Sequence, residues 1–213
     1  MNTDLNPIYT AVLGGDLKLA VDTTRAAVEE GVSPNDIING YMIKAMEEIG
    51  ARFEAGKAFV PNLLMSARAM KGAMEVLKPL MKGESDAYIG KVVIGTVQGD
   101  LHDIGKNLVA SMLEGCGFEI INLGVDIPCE RFLSVAREEK ADIICLSALL
   151  TTTMERMKEI IDAVHSSDLN GKVKVMVGGA PISREYAESI HADAYSDNAN
   201  GAVAVAKALV NTR

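Results

Sequence analysis

Only three histidines occur in the 213 residues, and His102 stands between two carboxylates in the run Asp100-Leu101-His102-Asp103-Ile104-Gly105. A neutral imidazole is a good transition-metal ligand, and a ligating histidine usually donates its other ring N–H to a carboxylate or carbonyl. Asp100, two residues earlier, can supply that carboxylate from an extended turn. Gly99 and Gly105 let the backbone approach a bulky ligand closely. The plainer alternative is a helix start, with Asp100 or Asp103 capping the first turn and His102 merely exposed. A zinc site needs three or four protein ligands. Cys116, Cys129 and Cys145 share no metal-type spacing, and His165 and His191 fall on helical stretches. One imidazole with open space beside it suits a metal whose remaining positions come from a macrocycle.

Two kinds of element must position this loop. Up to about Gly83 the apolar residues recur at helical spacing. A short first helix is expected near Pro7 to Leu13, and Asp16 can cap a second that runs to about Glu30 and stops at Gly31. Ser33, Pro34 and Asp36 form a start signal for a third, whose stripe is Met42, Met46, Ile49 and Phe53. Leu63, Ala67, Met70, Met74 and Leu77 mark a fourth, so residues 1–83 read as a four-helix bundle. Residues 84–90 read as a linker.

From Lys91 the pattern alternates. Strands are expected at 91–97, 118–124, 141–147, 172–179 and 192–196, with helices at about 104–115, 129–139, 152–165, 183–190 and 199–211. Continuous apolar strands separated by helices imply a parallel sheet covered on both faces. The expected fold of 91–213 is therefore α/β, a flavodoxin-like (Rossmann-type) five-stranded parallel sheet of order 2-1-3-4-5. Such sheets bind ligands beyond the carboxyl ends of their strands, where the order reverses between strands 1 and 3. Strand 1 runs into the Asp100 loop, strand 3 into Ser147 and its neighbours, and strand 4 into Gly178-Gly179.

Composition narrows the partners. A net charge of −8 argues against nucleic acid and against an anionic membrane surface. The opening "MNTDLNPIYT" lacks the basic flank and apolar block of a secretory leader. No apolar run reaches membrane-spanning length, and an odd cysteine count suits a reducing compartment. A cytoplasmic location is expected.

The pattern D-x-H-x-x-G, then S-x-L, then G-G resembles the signature of cobalamin-binding domains of the methionine synthase and methylmalonyl-CoA mutase type. Here it is Asp100 to Gly105, then Ser147-Ala148-Leu149, then Gly178-Gly179, with 41 residues skipped in the first gap and 28 in the second. The stretch "GKNLVASMLEGCGFEIINLGVDIPCERFL" is similar to the cobalamin domains of methyl-transferring proteins. "GARFEAGKAFVPNLLMSARAMKGAMEVLKP" looks like the helical cap over the upper cobalt face in that group. Taken together, the chain resembles the stand-alone corrinoid proteins of methylotrophic and O-demethylating methyltransferase systems.

The resemblance implies cobalamin as cofactor, bound base-off with His102 as the lower cobalt ligand and Asp100 holding its imidazole. Thr153 takes the position of the hydroxyl that completes this relay in methionine synthase. Gly99, Leu101, Asp103, Ile104 and Gly105 belong to the same cofactor loop. Ser147, Leu149 and Thr151 match residues around the displaced nucleotide tail, Gly178 and Gly179 leave room for it, and Ala199 matches a backbone contact near the corrin. Phe53, Val60 and Leu63 match apolar residues shielding the upper face, although Phe53 and Leu63 also fit plain bundle core. The implied function is a methyl carrier between a substrate-specific methyltransferase and a second methyltransferase to tetrahydrofolate or a thiol, with a reductive activase as a further partner. No catalysis is expected of the chain alone.

A cobalamin-dependent sensor or regulatory module is the alternative. It calls for an output such as a basic helix-turn-helix, and none is seen. A phosphorelay receiver would need an acceptor aspartate where this chain has Ser147. A flavin mononucleotide carrier would need a hydroxyl-rich loop where it has "GDLHDIG".

Overall fold

The computed structural model describes residues 5–81 and 88–211. The chain divides into two compact units, a helical one up to Tyr88, with which Glu114–Gly117 is grouped, and an α/β one made of Ile89–Leu113 and the chain from Phe118 onward. The expected linker, 84–90, lies for the most part outside the described residues.

The helical unit contains α1 (Asn6–Gly14), α2 (Leu17–Glu29), α3 (Pro34–Ile37), α4 (Ile43–Glu54) and α5 (Val60–Leu77). Asp16 accepts the Leu19 N–H at 2.9 Å and Ser33 accepts the Asp36 N–H at 3.1 Å, the two caps legible in the sequence. The start of α5 is held the other way round, the Phe59 N–H donating to the Asn62 side chain at 2.9 Å. Between α3 and α4 the chain makes one wide π turn, Ile38–Met42, so the third rod is continuous but bulged. α5 packs against α1, α2 and α4. Its buried stripe includes Leu63, Ala67, Met70, Met74 and Leu77.

The α/β unit runs β1 (Lys91–Val97), α6 (Ile104–Gly115), β2 (Glu119–Ile127), α7 (Cys129–Glu138), β3 (Ile143–Ser147), α8 (Glu155–His165), β4 (Lys174–Gly178), α9 (Arg184–Ser189), β5 (Ala194–Tyr195) and α10 (Ala199–Asn211). The strands form one parallel sheet of order β2-β1-β3-β4-β5. Val92, Val93, Ile94, Ile143 and Ile144 are buried, as strands covered on both faces require. One face rests on Phe132, Val135, Met157, Ile160, Ile161 and Val164 of α7 and α8. In register, Thr96 pairs with Ser147 and Ser147 with Gly178, so β1, β3 and β4 end at one level. That alignment brings the three sequence motifs to a common rim.

β2 and α8 differ from expectation. β2 extends three residues further, to Ile127, because Gly124 and Ile127 keep pairing with Gly95 and Val97 of β1 across two register shifts instead of the strand ending at Gly124. α8 begins at Glu155, the threonine run before it forming a turn.

Candidate functional site

Asp100 is fully buried at the end of β1, and its carboxylate accepts five hydrogen bonds. Oδ1 takes the His102 ring Nδ1 at 2.7 Å and the His102 backbone N–H at 3.1 Å. Oδ2 takes the backbone N–H groups of Leu149 at 2.7 Å and Leu150 at 3.1 Å, and the Thr153 hydroxyl at 2.8 Å. Burial pushes the carboxyl's pKa up. The bonds from Leu149, from the ring and backbone of His102, and from Leu150 overcome it and hold the group well below the usual carboxylate range.

An ionised carboxylate only accepts, so the ring proton is assigned to Nδ1 and the lone pair to Nε2. Nε2 has no hydrogen-bond partner among the described residues, and the His102 side chain is half-exposed. The Thr96 hydroxyl, buried in β1, donates to the His102 carbonyl at 2.8 Å and fixes the loop from below. Asp103 is the first residue whose carbonyl enters the helical ladder of α6, accepting the Asn107 N–H at 2.7 Å, while its side chain accepts from the Asn107 amide at 2.9 Å. The plain helix-start reading thus applies to Asp103 but not to Asp100, whose carboxylate accepts from His102, Leu149, Leu150 and Thr153 and from no amide of α6.

Beside His102 opens a cavity of about 590 Å³. Its lining includes Leu101, Asp103, Ile104 and Gly105 from the loop, Ser147 and Leu149 after β3, Gly178 and Gly179 after β4, and Ala199 opening α10. Leu101 and Ile104 are 71% and 88% exposed, an apolar rim around the imidazole that a large flat ligand would cover. Gly179 has φ 138°, and a Cβ there would overlap the Ala148 carbonyl, so only glycine lets these two loops close against each other. Among the described residues no three His, Cys, Asp or Glu side chains cluster as a metal site. Within this unit, then, an anchored imidazole lines a largely apolar cavity, a donor set of the kind that suits a metal already held in a macrocycle.

Family models decide which. One described as a B12 binding domain matches residues 90–204, and a second B12 binding domain model matches residues 5–78. This chain belongs to the B12-binding corrinoid protein family. The dimethylamine corrinoid protein of Methanosarcina barkeri is 45% identical over 193 residues, covering 89% of this chain and 91% of that protein. A corrinoid protein of Desulfitobacterium hafniense strain Y51 is 38% identical over 212 residues, 97% of each chain. Among solved structures, the methanol:cobalamin methyltransferase complex of Methanosarcina barkeri matches with TM-score 0.83 at 31% identity, over 98% of this chain and 80% of that one. A cobalamin-binding protein from Desulfitobacterium hafniense DCB-2 matches with TM-score 0.82 at 30% identity, over 97% and 98%.

The corrinoid protein places the remaining expected residues as follows. Gly99, at φ 85°, turns the loop but does not line the cavity. Thr151 is exposed in the turn before α8 and is likewise outside the lining. Thr153 is buried behind Asp100 instead of in the cavity. In the helical unit Val60 is 39% exposed, Phe53 is half-buried, and Leu63 is fully buried in the bundle. Sequence reasoning missed Thr96, the Leu149 and Leu150 amides as anchors of Asp100, and Lys106. Lys106 is buried at the cavity's edge, its ammonium donating to the Asn107 and Asn122 side chains at 2.6 and 2.8 Å.

Proposed function

We propose that this corrinoid protein is a methyl carrier that binds cobalamin base-off through His102 and moves a methyl group from a substrate-specific methyltransferase to a second methyltransferase. The observation that carries the reading is the imidazole anchored by Nδ1 on buried Asp100 with Nε2 open beside the cavity. When bound, the corrinoid's cobalt supplies the methyl-accepting and methyl-donating chemistry.

The chain's residues prepare for it. Asp100 keeps the ring oriented and its Nε2 lone pair presented, a role that raises ligand basicity. Thr153 shares the carboxylate with the ring, so a proton held at Nδ1 sits within a three-member hydrogen-bonded chain. Ser147, Leu149, Gly178, Gly179 and Ala199 line the space that would take the cofactor's displaced base and nucleotide tail. Leu101, Asp103, Ile104 and Gly105 form the side of that space beside the ligand, with Gly99 turning their loop. Thr151, and Phe53, Val60 and Leu63 on the helical unit, are assigned to the tail and to the upper face by resemblance.

A methyltransferase partner is supported by the likeness to the methanol:cobalamin methyltransferase complex. A second methyltransferase acting on tetrahydrofolate or a thiol, a reductive activase and a cytoplasmic setting complete the proposal. No helix among the described residues is long and apolar enough to cross a membrane. The regulatory alternative is not favoured by these relatives.

The test is reconstitution of the purified chain with hydroxocobalamin, followed by visible spectroscopy of the native protein and of His102→Ala. A coloured complex is expected, with an imidazole-ligated spectrum that His102→Ala loses. An identical lower-ligand spectrum in the variant overturns the assignment.

A further inference from the structure

We infer that Asp126, near the end of β2, is a positioning residue for the loop that presents His102, an inference that rests on the reading of His102 as cobalt ligand. β2 reaches this point irregularly. Along β1 the partners run Ile94 with Asn122, Gly95 with Gly124 and Val97 with Ile127, so β2 carries one extra residue at each of two successive steps. Extra residues bend and twist a strand and occur often beside functional sites, where they re-aim a side chain. Here the second irregularity leaves Asp126 at φ 57°, a left-handed conformation that residues with a β-carbon rarely adopt and that Asp and Asn tolerate best.

From that conformation both polar ends of Asp126 turn onto the loop. Its Oδ1 accepts the Gly99 N–H at 2.7 Å, and its own N–H donates to the Asp100 carbonyl at 3.0 Å. Asp126 therefore brackets the Gly99–Asp100 dipeptide at both ends, while Thr96 holds the His102 carbonyl at the far side. The carboxylate that orients the imidazole hangs from the bracketed dipeptide, so its direction is set by a residue of the neighbouring strand. Among the described residues the other two non-glycine residues in the left-handed region, Lys140 and His191, follow α7 and α9 and close those helices onto the Arg137 and Glu188 carbonyls. They share the strain without the contact and serve as controls.

The test uses the full chain and three variants. Asp126→Asn keeps both a side-chain acceptor and tolerance of the left-handed region, Asp126→Gly keeps only the backbone freedom, and Lys140→Gly relieves equivalent strain elsewhere. Each is titrated with hydroxocobalamin, its lower-ligand spectrum recorded, and amide exchange at Gly99 and His102 followed without cofactor. Asp126→Asn and Lys140→Gly should match the native protein. Asp126→Gly should bind on the order of tenfold more weakly, lose part of the imidazole-ligated spectrum, and exchange both amides faster. Native binding and spectrum in Asp126→Gly, or Asp126→Asn behaving like Asp126→Gly, overturns the inference. An unaltered spectrum in His102→Ala removes the parent reading and this one together, whereas a shifted spectrum there with a native-like Asp126→Gly removes this one alone.

Discussion

A buried carboxylate with five donors around it is locked in direction, and the ring it holds is locked with it. Asp100 also ties two loops together: its Oδ1 serves the turn after β1 and its Oδ2 the turn after β3. This explains in physical terms why D-x-H and S-x-L occur together. The sequence showed the His102–Asp100 pair because both members have side-chain chemistry and stand two residues apart. It could not show the Leu149 and Leu150 donors, since a backbone N–H is common to almost every residue. Asp126 was equally silent, its role depending on a pairing irregularity rather than on its type. A pH prediction belongs at this scale. Asp100 titrates below the ordinary value of 3.8 in the folded protein, so the unfolded chain takes up its proton first as pH falls. The stability it contributes is complete above the unfolded value and is lost as pH drops from there towards the folded value. Cofactor-free Asp100→Asn should therefore show a shallower fall in urea midpoint between about pH 4 and 2 than the native chain.

At the scale of elements, α5 separates two duties that a helical stripe in the sequence blends. Leu63 and Val60 lie three residues apart, yet Leu63 is fully buried and Val60 is 39% exposed. Leu63→Ala should cost about 2–5 kcal/mol in chemical unfolding, and Val60→Ala no more than about 0.5 kcal/mol. The turn after β4 makes a sharper case. Gly179→Ala forces both a left-handed backbone and an overlap with the Ala148 carbonyl; a loss of at least about 1–3 kcal/mol and weaker hydroxocobalamin binding are expected. Caps such as Asp16 and Ser33 were legible because they act on donors three residues away. The π turn at Ile38–Met42 was not, because a one-residue widening leaves the hydrophobic period on either side intact.

Across the molecule, the change of period near residue 90 made the two classes of structure readable, and the alternation after it implied the strand order seen. The cavity was readable only as a place, since its volume depends on how the sheet twists and where α10 begins. Because cofactor binds the folded state alone, hydroxocobalamin should raise the melting temperature in a concentration-dependent way, worth about 2.7 kcal/mol at a hundredfold excess over Kd. A smaller gain is expected for His102→Ala at the same concentration, measured by calorimetry. The kinked course of β2 has one more effect. β2 is a border strand of the sheet and, at nine residues, the longest one. A long straight border is a template onto which a stranger's backbone can zip, seeding aggregates. The two steps that aim Asp126 also break the even spacing of such a template, so an irregular β2 is a poorer seed for edge-to-edge pairing than a straight strand of the same length.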